Sequence, residues 1–379
     1  MTAVRGESRS ESALMREVTL HNRWVEDLAY TIRIGRGLLP SILGELGRDH
    51  PKRRIFVVTD SNVVAAGHLA ALLKQEKVGH YVIDPPGEKS KHIHTVADIV
   101  NAMEREAFGR DTLVVALGGG TVGDVAGFAA AIFKRRVPVV HVPTTTVAQA
   151  DSSIGGKTGV DSDLSKNAFG AFHHPSGIYV DVDTLTTLDD RHYRAGLVES
   201  VKHALIADAA YFEFIESHVG EILAREPAVM EVLGEENARI KGSVVEQDPY
   251  EKNVRRALNL GHTVGHAVES SSGYDLLHGE AVAIGIVAAL HLAEELQLAA
   301  SNLRLRVAEV LSKLGMPDRI PAGVRDDQLV EAMSRDKKSV GGKPRFVLIE
   351  DVGRLHASNG QAAVEVEEEP VRRMLARLR

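Results

Sequence analysis

The sequence predicts an α/β protein in two parts, with a mostly parallel sheet and crossover helices first and a mainly helical domain after it. Three observations carry this expectation. From about Val25 to Asp183, short β-branched runs alternate with helix-length segments. Each run ends in Gly, Pro, Asp or Thr, the residues that stop a strand. After about Leu185 the strand signals fade and amphipathic patterns with a helical period take over. A chain of 379 residues also exceeds what one ordinary core accommodates.

Taken in order, the first 16 residues, "MTAVRGESRSESALMR", are polar and charged. They resemble neither a signal peptide nor a spanning segment, and residues 1–20 are expected to be a disordered tail on a cytoplasmic protein. Residues 21–185 hold the runs "RRIFVVTD", "GHYVIDPP", "TLVVALGGG", "PVVHVPTTT" and "GIYVDVD". Such nearly all-apolar strands are buried on both faces, as in a parallel sheet. The pattern is Rossmann-like, a nucleotide-domain architecture that does not by itself name a ligand. Residues 186–379 carry helical patterns through "HYRAGLVESVKHALIAD", "AAYFEFIESHVGEIL", "NARIKGSVVEQD" and "SNLRLRVAEVLSKLG". Near the end, "KPRFVLIEDVGRLHA" reads as a short hairpin or isolated strand packed back on that domain.

Composition narrows the function. Hydrophobic content of 44% and charged content of 26% suit a globular protein. With 45 basic and 52 acidic residues the net charge is −7, and no basic stripe with interleaved aromatics speaks for nucleic acid. The absence of cysteine excludes disulfides, a thiol nucleophile and thiolate zinc sites. Any metal must therefore use nitrogen and oxygen ligands.

Several stretches gather groups able to do chemistry. "TLVVALGGGTVGDVAGFAAAIF" sets three glycines between a strand and a helix of small residues, where tight dihedrals and open amides suit a phosphate. Tight strand–helix packing explains the same glycines equally well. Asp60 and Asn62 of "VVTDSNV" stand where side chains meet a ribose or base edge, or simply cap a helix. "HVPTTTVAQADSSIGGKTGVDSDLSKNAFGAFHHP" reads as a long polar loop carrying Thr144, Thr145, Asp151, Lys157, Lys166 and Asn167, suited to a phosphate-bearing ligand. Glu199 and Lys202 lie three apart on an apolar helix, and Lys241, Glu251, Arg255 and Asn259 bring further charge toward "NLGHTVGHAVESSSGYDLLHGE". There His262 and His266 share a helix face, which fits metal ligands, acid–base groups or polar residues of a buried helix.

Read together, "GGGTVGDVAGFAAA", "VPTTTVAQADSSIGGKTGVD", "KNAFGAFHHP", "GLVESVKHALI", "LNLGHTVGHAVE" and "LHGEAVAIG" resemble the successive motifs of the 3-dehydroquinate synthase family of sugar phosphate cyclases. The resemblance runs from about Val57 to Val352. It implies an enzyme that uses NAD and a divalent metal, Zn2+ or alternatively Co2+, on a small anionic sugar phosphate of the shikimate pathway. Such enzymes oxidise a secondary hydroxyl, eliminate phosphate, re-reduce the ketone and close a carbocycle by an intramolecular aldol reaction. It implies a homodimer, and no nucleic-acid or membrane partner.

The resemblance also implies roles for residues. Glu199, His262 and His278 would hold the metal, with His266 left as a substrate-side, proton-handling group. NAD contacts would fall at Asp60, Asn62, Glu88, Lys91, Gly119, Gly120, Asp124, Thr144, Thr145, Lys166 and Thr187. Substrate and catalytic contacts would be Arg135, Asp151, Lys157, Asn167, Lys202, Lys241, Glu251, Arg255, Asn259, His266 and Lys337. Other histidines, such as His80, His203 and His291, are expected to be structural or surface residues.

Three departures stand out. Arg136 occupies a place where the family usually has glycine, which implies local strain; Ser165 replaces a common glycine, and Ser200 a usual aliphatic residue. Alternatives are an amino-dehydroquinate or valiolone-type synthase, a metal- and NAD-dependent alcohol dehydrogenase, or a non-catalytic binding protein. Valiolone-type relatives alter the GGKT and LNLGH regions, which this chain keeps.

Overall fold

The structure, a computed structural model, describes residues 28–335 and 344–379 apart from residues 75 and 274. Lys337 and the expected tail lie outside the described residues. Eight strands and five helices build the first half: β1 (Thr31–Gly35), α1 (Leu39–Asp49), β2 (Arg54–Asp60), α2 (Ser61–Ala65), α3 (His68–Leu73), β3 (Gly79–Ile83), α4 (Ile93–Arg105), β4 (Thr112–Gly118), α5 (Gly120–Ile132), β5 (Val139–Pro143), β6 (Lys157–Val160), β7 (Phe169–Phe172) and β8 (Gly177–Asp181). Six of these strands form one sheet in the order β1-β8-β5-β4-β2-β3, every pair parallel.

The alternation of side chains along a strand sorts the core into two layers. Phe56, Val58, Val114 and Ala116 point to the layer under α4 and α5. Val57, Leu113, Val115 and Leu117 point to the layer under α1 and α3. Both faces are covered, which is why these strands read as continuous apolar runs.

Helices dominate from Asp190: α6 (Asp190–Ala207), α7 (Ala209–Ser217), α8 (Val219–Leu223), α9 (Pro227–Gln247), α10 (His262–Ser271), α11 (His278–Glu295), α12 (Ser301–Lys313), α13 (Asp326–Arg335) and α14 (Glu368–Arg377). Short strands β9 (Arg345–Phe346), β10 (Ile349–Asp351), β11 (Arg354–Leu355) and β12 (Val364–Glu365) include the expected hairpin, β10 pairing antiparallel with β11. Ile178 and Val180 of β8 belong to the same core as these helices, and Ile32 and Ile34 of β1 pack against it, so the two halves meet at that sheet edge.

The polar loop expected after β5 is not irregular. Ala148–Ser152 forms a π-helical turn, and β6 and β7 pair antiparallel with Lys157 opposite Phe172. The sequence signal missed this because the hairpin strands contain glycine at Gly159 and Gly170, each packed against the other strand's backbone. The expected single helix "AAYFEFIESHVGEIL" is broken at His218, whose Nδ1 bonds Phe214 O at 2.9 Å.

Candidate active site

Three helices touch through backbone, and that contact assembles the centre of the site. A Cβ on Gly279, the second residue of α11, would lie 1.8 Å from the Ala195 carbonyl oxygen of α6. A Cβ on Gly285 would lie 1.8 Å from Gly261 O, just before α10. Only glycine permits such approaches, so α6, α10 and α11 converge more closely than ordinary helices do. The start of α11 is held as well. Leu277 N donates to Glu280 Oε2 at 2.8 Å, and Arg191 of α6 grips both Glu280 oxygens at 2.7 and 2.8 Å.

This junction brings Glu199 of α6, His262 of α10 and His278 of α11 together. Glu199 Oε1 lies 4.0 Å from His262 Nε2 and 3.5 Å from His278 Nε2. His262 Nδ1 is engaged by Leu260 O at 3.0 Å, which turns Nε2 inward. Glu199 Oε1 is buried and has no hydrogen-bond partner among the described residues. An orphaned carboxylate oxygen facing two imidazole nitrogens fits a divalent cation, and the donor set is that of a catalytic zinc with open positions. His266 flanks the group, its ring 5.2 Å from that of His262 and 5.8 Å from that of His278.

Behind the triad lies a buried charge cluster. Lys202 binds Glu199 Oε2 and lies 3.6 Å from Asp151 Oδ1; Lys241 reaches the same oxygen at 2.9 Å and also bonds the Asp151 carbonyl. Burial opposes the charge of Asp151, but Lys202 and Lys241 hold its carboxyl well below the usual range. Burial likewise resists ionisation of Glu199, and Lys202 overrides it downward. Lys241 falls to about 8, mainly through burial, with Asp151 opposing and Lys202 adding to the shift. Burial lowers Lys202, but Asp151 and Glu199 raise it above its ordinary value.

The GGKT turn supplies the next wall. Gly155 and Gly156 have φ of +97° and +68°, the left-handed region that favours glycine. Arg255 Nη2 donates to Gly155 O at 2.9 Å and Nη1 to Pro249 O at 2.7 Å, while its buried Nε has no partner among the described residues. Lys157 pairs with Glu251, whose other oxygen accepts from Asn259 Nδ2 at 2.8 Å. Asn167 lies beyond the far end of the hairpin, exposed, with its amide on Asp161 Oδ1 at 2.6 Å. Arg135 is exposed just after α5.

On the sheet side, the turn from β4 into α5 leaves α5 without a side-chain cap, so its first amides are open to an anion. The expected tight dihedral is not the reason for glycine here. Gly119 is extended (φ −76°, ψ −172°), and what favours glycine is proximity, since a Cβ would lie 3.0 Å from Thr145 Cγ2. Thr144 is buried behind that turn, and a Cβ on Gly120 would lie 3.1 Å from Ser152 Oγ. Lys91 pairs with Asp124 at 2.7 Å. Lys166 joins Glu88 at 3.5 Å. Asp60 caps α2, accepting from Val63 N at 2.9 Å; Asn62 is exposed in that helix; Thr187 Oγ1 bonds His68 Nε2 at 2.7 Å.

Two residues beside the site had been given no place in it. His203, expected to be merely structural, is fully buried with Nε2 3.3 Å from Asp151 Oδ1, and its Nδ1 meets Asn237 Oδ1 at 2.9 Å. Glu269 lies 3.5 Å from His278 Nδ1. A signal existed for Glu269, seven residues after His262 and hence on the same helix face. The departures have local explanations. Arg136 takes φ +97°, as the missing glycine implied, and its Nε donates to His173 Nδ1 at 3.2 Å. Ser165 sits in a turn closed onto Ser162 Oγ at 3.1 Å. Ser200 Oγ accepts from Asn237 Nδ2 at 2.8 Å, within the His203 network.

Solved structures with this fold include 2-epi-5-epi-valiolone synthase from Streptomyces hygroscopicus subsp. jinggangensis 5008 with NAD+ and Zn2+ bound (29% identity, TM-score 0.85, covering 95% of this chain and 99% of that one). A 2-deoxy-scyllo-inosose synthase complexed with carbaglucose-6-phosphate, NAD+ and Co2+ aligns at 27% identity and TM-score 0.83 over 92% of this chain and 96% of that one. Butanol dehydrogenase A from Thermotoga maritima, at 17% identity, TM-score 0.65 and coverage of 94% and 98%, shares the fold alone. The architecture is thus that of the sugar phosphate cyclases, a Rossmann-like sheet followed by a helical part. Within that class, family models described as 3-dehydroquinate synthase N-terminal and 3-dehydroquinate synthase C-terminal match residues 81–195 and 196–339. Curated 3-dehydroquinate synthases from Symbiobacterium thermophilum and Paracoccus denitrificans are 45% and 42% identical, covering 84% and 86% of this chain and 90% and 91% of theirs. The chain belongs to the 3-dehydroquinate synthase family and is an enzyme of this type, a carbon–oxygen lyase.

Proposed function

We propose that the chain converts 3-deoxy-arabino-heptulosonate 7-phosphate to 3-dehydroquinate and phosphate in the shikimate pathway, in the cytoplasm and as a homodimer. Oxidation of a secondary hydroxyl, phosphate elimination, re-reduction and intramolecular aldol closure would follow in one site. The observation that carries this reading is the orphaned Glu199 Oε1 facing two imidazoles, with Lys202, Lys241 and Arg255 buried close by. In keeping with the valiolone and inosose synthases, NAD would sit at the β4–α5 turn, within residues 21–185, and Zn2+ or Co2+ at Glu199, His262 and His278, within 186–379. When bound, the metal would supply Lewis acidity and the nicotinamide a hydride acceptor that is restored each turn.

The chain's own groups do the rest. Lys202 occupies Glu199 Oε2 and so leaves Oε1 facing the two histidines. Lys157, Lys241 and Arg255 provide the positive charge for a carboxylate and a phosphate, and Asn259 orients Glu251 beside them. Asp151 holds Lys202 and Lys241 at fixed positions. His266, beside the triad, moves a proton at the substrate face. Arg135, Asn167 and Lys337 are assigned to substrate, and Asp60, Asn62, Glu88, Lys91, Gly119, Gly120, Asp124, Thr144, Thr145, Lys166 and Thr187 to NAD.

The test is to supply that heptulosonate phosphate with NAD and zinc, follow phosphate release, and identify the carbocycle by mass and NMR. Sedoheptulose 7-phosphate runs in parallel. Phosphate release and a carbocycle from the second substrate alone would overturn the assignment. Net NADH accumulating in step with product would point instead to a dehydrogenase.

A further inference from the structure

Glu269 belongs to none of the roles assigned above, yet it stands between two parts of the site. Its Oε2 lies 3.5 Å from His278 Nδ1, on the side of that ring opposite the nitrogen that faces Glu199. Its Oε1 accepts from Lys166 Nζ at 2.8 Å, and Lys166 also lies 3.5 Å from Glu88. Glu88 in turn accepts from Thr121 Oγ1 at 3.4 Å, in the first turn of α5. Glu269 is only 8% exposed, so a carboxylate there needs partners, and these are the ones it has.

An imidazole can present Nε2 to a cation only if the proton sits on Nδ1, and a carboxylate accepting that proton fixes both the tautomer and the ring plane. His278 has particular need of such a brace. It is the first residue of α11, its side chain is 38% exposed, and Leu277 before it bonds through backbone alone, to Glu280 and Ala281. His262 differs, because the carbonyl of Leu260 already holds its Nδ1.

We infer that Glu269 is a positioning residue: it orients His278 for the metal, and through Lys166 it ties that ligand to the nucleotide side of the site. The inference rests on the metal reading given above. Lys166 and His278 come from opposite halves of the chain, and Glu269 touches both. A change at Lys166 is therefore felt at the metal through Glu269.

The experiment measures Zn2+ affinity by competition with a chromophoric chelator, on metal-stripped full chain without NAD or substrate. Glu269→Ala should weaken binding roughly ten- to a hundredfold, the effect usual for a partner of a ligating histidine. Glu269→Gln should regain much of this, since its amide oxygen still accepts from Nδ1–H. Lys166→Met should shift affinity when Glu269 is present and leave it unchanged in the Glu269→Ala background, the non-additivity expected of coupled groups. Melting of the metal-free variants checks that each is folded. Affinity for Glu269→Ala within twofold of the parent overturns the proposal. So does Glu269→Gln emptying the site as completely as Glu199→Gln, which would make Glu269 itself a ligand. So does a Lys166→Met effect that persists without Glu269. A parent chain that binds no zinc overturns the metal reading and this inference together, whereas loss in Glu199→Gln but not in Glu269→Ala overturns this inference alone.

Discussion

On the helical side of the site, Glu199, Lys202 and Lys241 are at most 5% exposed and sit on helices α6 and α9. On the sheet side, the side chains of Lys157, Lys166 and Glu88 are 49%, 36% and 48% exposed, carried by a hairpin and short turns. The first set cannot be altered without leaving charge unpaired in a low-dielectric interior, where the desolvation penalty is large. The second can lose a charge to water at little structural expense. The same residue types, lysine and carboxylate, therefore serve fold and chemistry together in one half and chemistry almost alone in the other.

The contrast is tested most severely at Glu199. Glu199→Gln keeps the shape but removes the ligand charge, and turnover should fall roughly a thousandfold or more, several kcal/mol of transition-state stabilisation. His266→Ala should also lose much activity yet keep stoichiometric metal, as metal analysis of the purified variants would show. Metal lost from His266→Ala and kept by His278→Ala would reverse the ligand assignment.

Next in size is Lys202→Met, which strips Glu199 and part of Asp151 of their counter-charge. Removing one partner of a buried pair typically costs about 3–5 kcal/mol. Denaturant unfolding of the metal-free protein should register it, and an unchanged midpoint would erase the distinction between the two halves. Lys157→Met provides the opposite case. Its melting temperature should barely move, while kcat/KM falls roughly ten- to a hundredfold through loss of a charge-assisted bond to the anionic substrate.

A subtler contrast is in pH dependence. Burial leaves Lys241 at about 8, with Asp151, Lys202 and Arg255 as its charged neighbours. As pH rises through about 8 it sheds its proton, and KM for the anionic sugar phosphate should climb severalfold; Lys241→Met should flatten that rise. The stability sign is the reverse. Between about 8 and the ordinary 10.5 the unfolded chain binds the extra proton, so this group's penalty on the folded state is full below 8 and fades as pH increases. Smallest of all should be Arg136→Gly. Relief of a φ of +97° is worth about 1–3 kcal/mol, offset by a lost bond to His173, so a rise of a few degrees in melting temperature is expected with kinetics unaltered.

Strands β2, β4, β5 and β8 were legible because burial on both faces writes an apolar run between turn residues, and edge strand β3, only partly buried, through the β-branched and aromatic run of its "GHYVI". Edge strand β1, with one partly exposed face and the sequence "TIRIG", left no such run. The β6–β7 hairpin was unreadable for a related reason: its glycines are set by the neighbouring strand's backbone, which the local sequence does not contain. Within the site, motif resemblance supplied the triad, whereas spacing alone left His262, His266 and His278 unsorted.

By itself, then, the sequence determined the parallel sheet, the helical second half, the need for nitrogen and oxygen ligands, and the family. Periodicity, the absence of cysteine and the ordered motifs are all one-dimensional facts. Tertiary structure alone decided which nitrogen of each histidine faces Glu199, that Gly279 and Gly285 exist to let helices touch, and that His203 and Glu269 adjoin the site. These depend on distances between residues up to about a hundred positions apart, which are fixed by packing of whole helices and leave no local period to read.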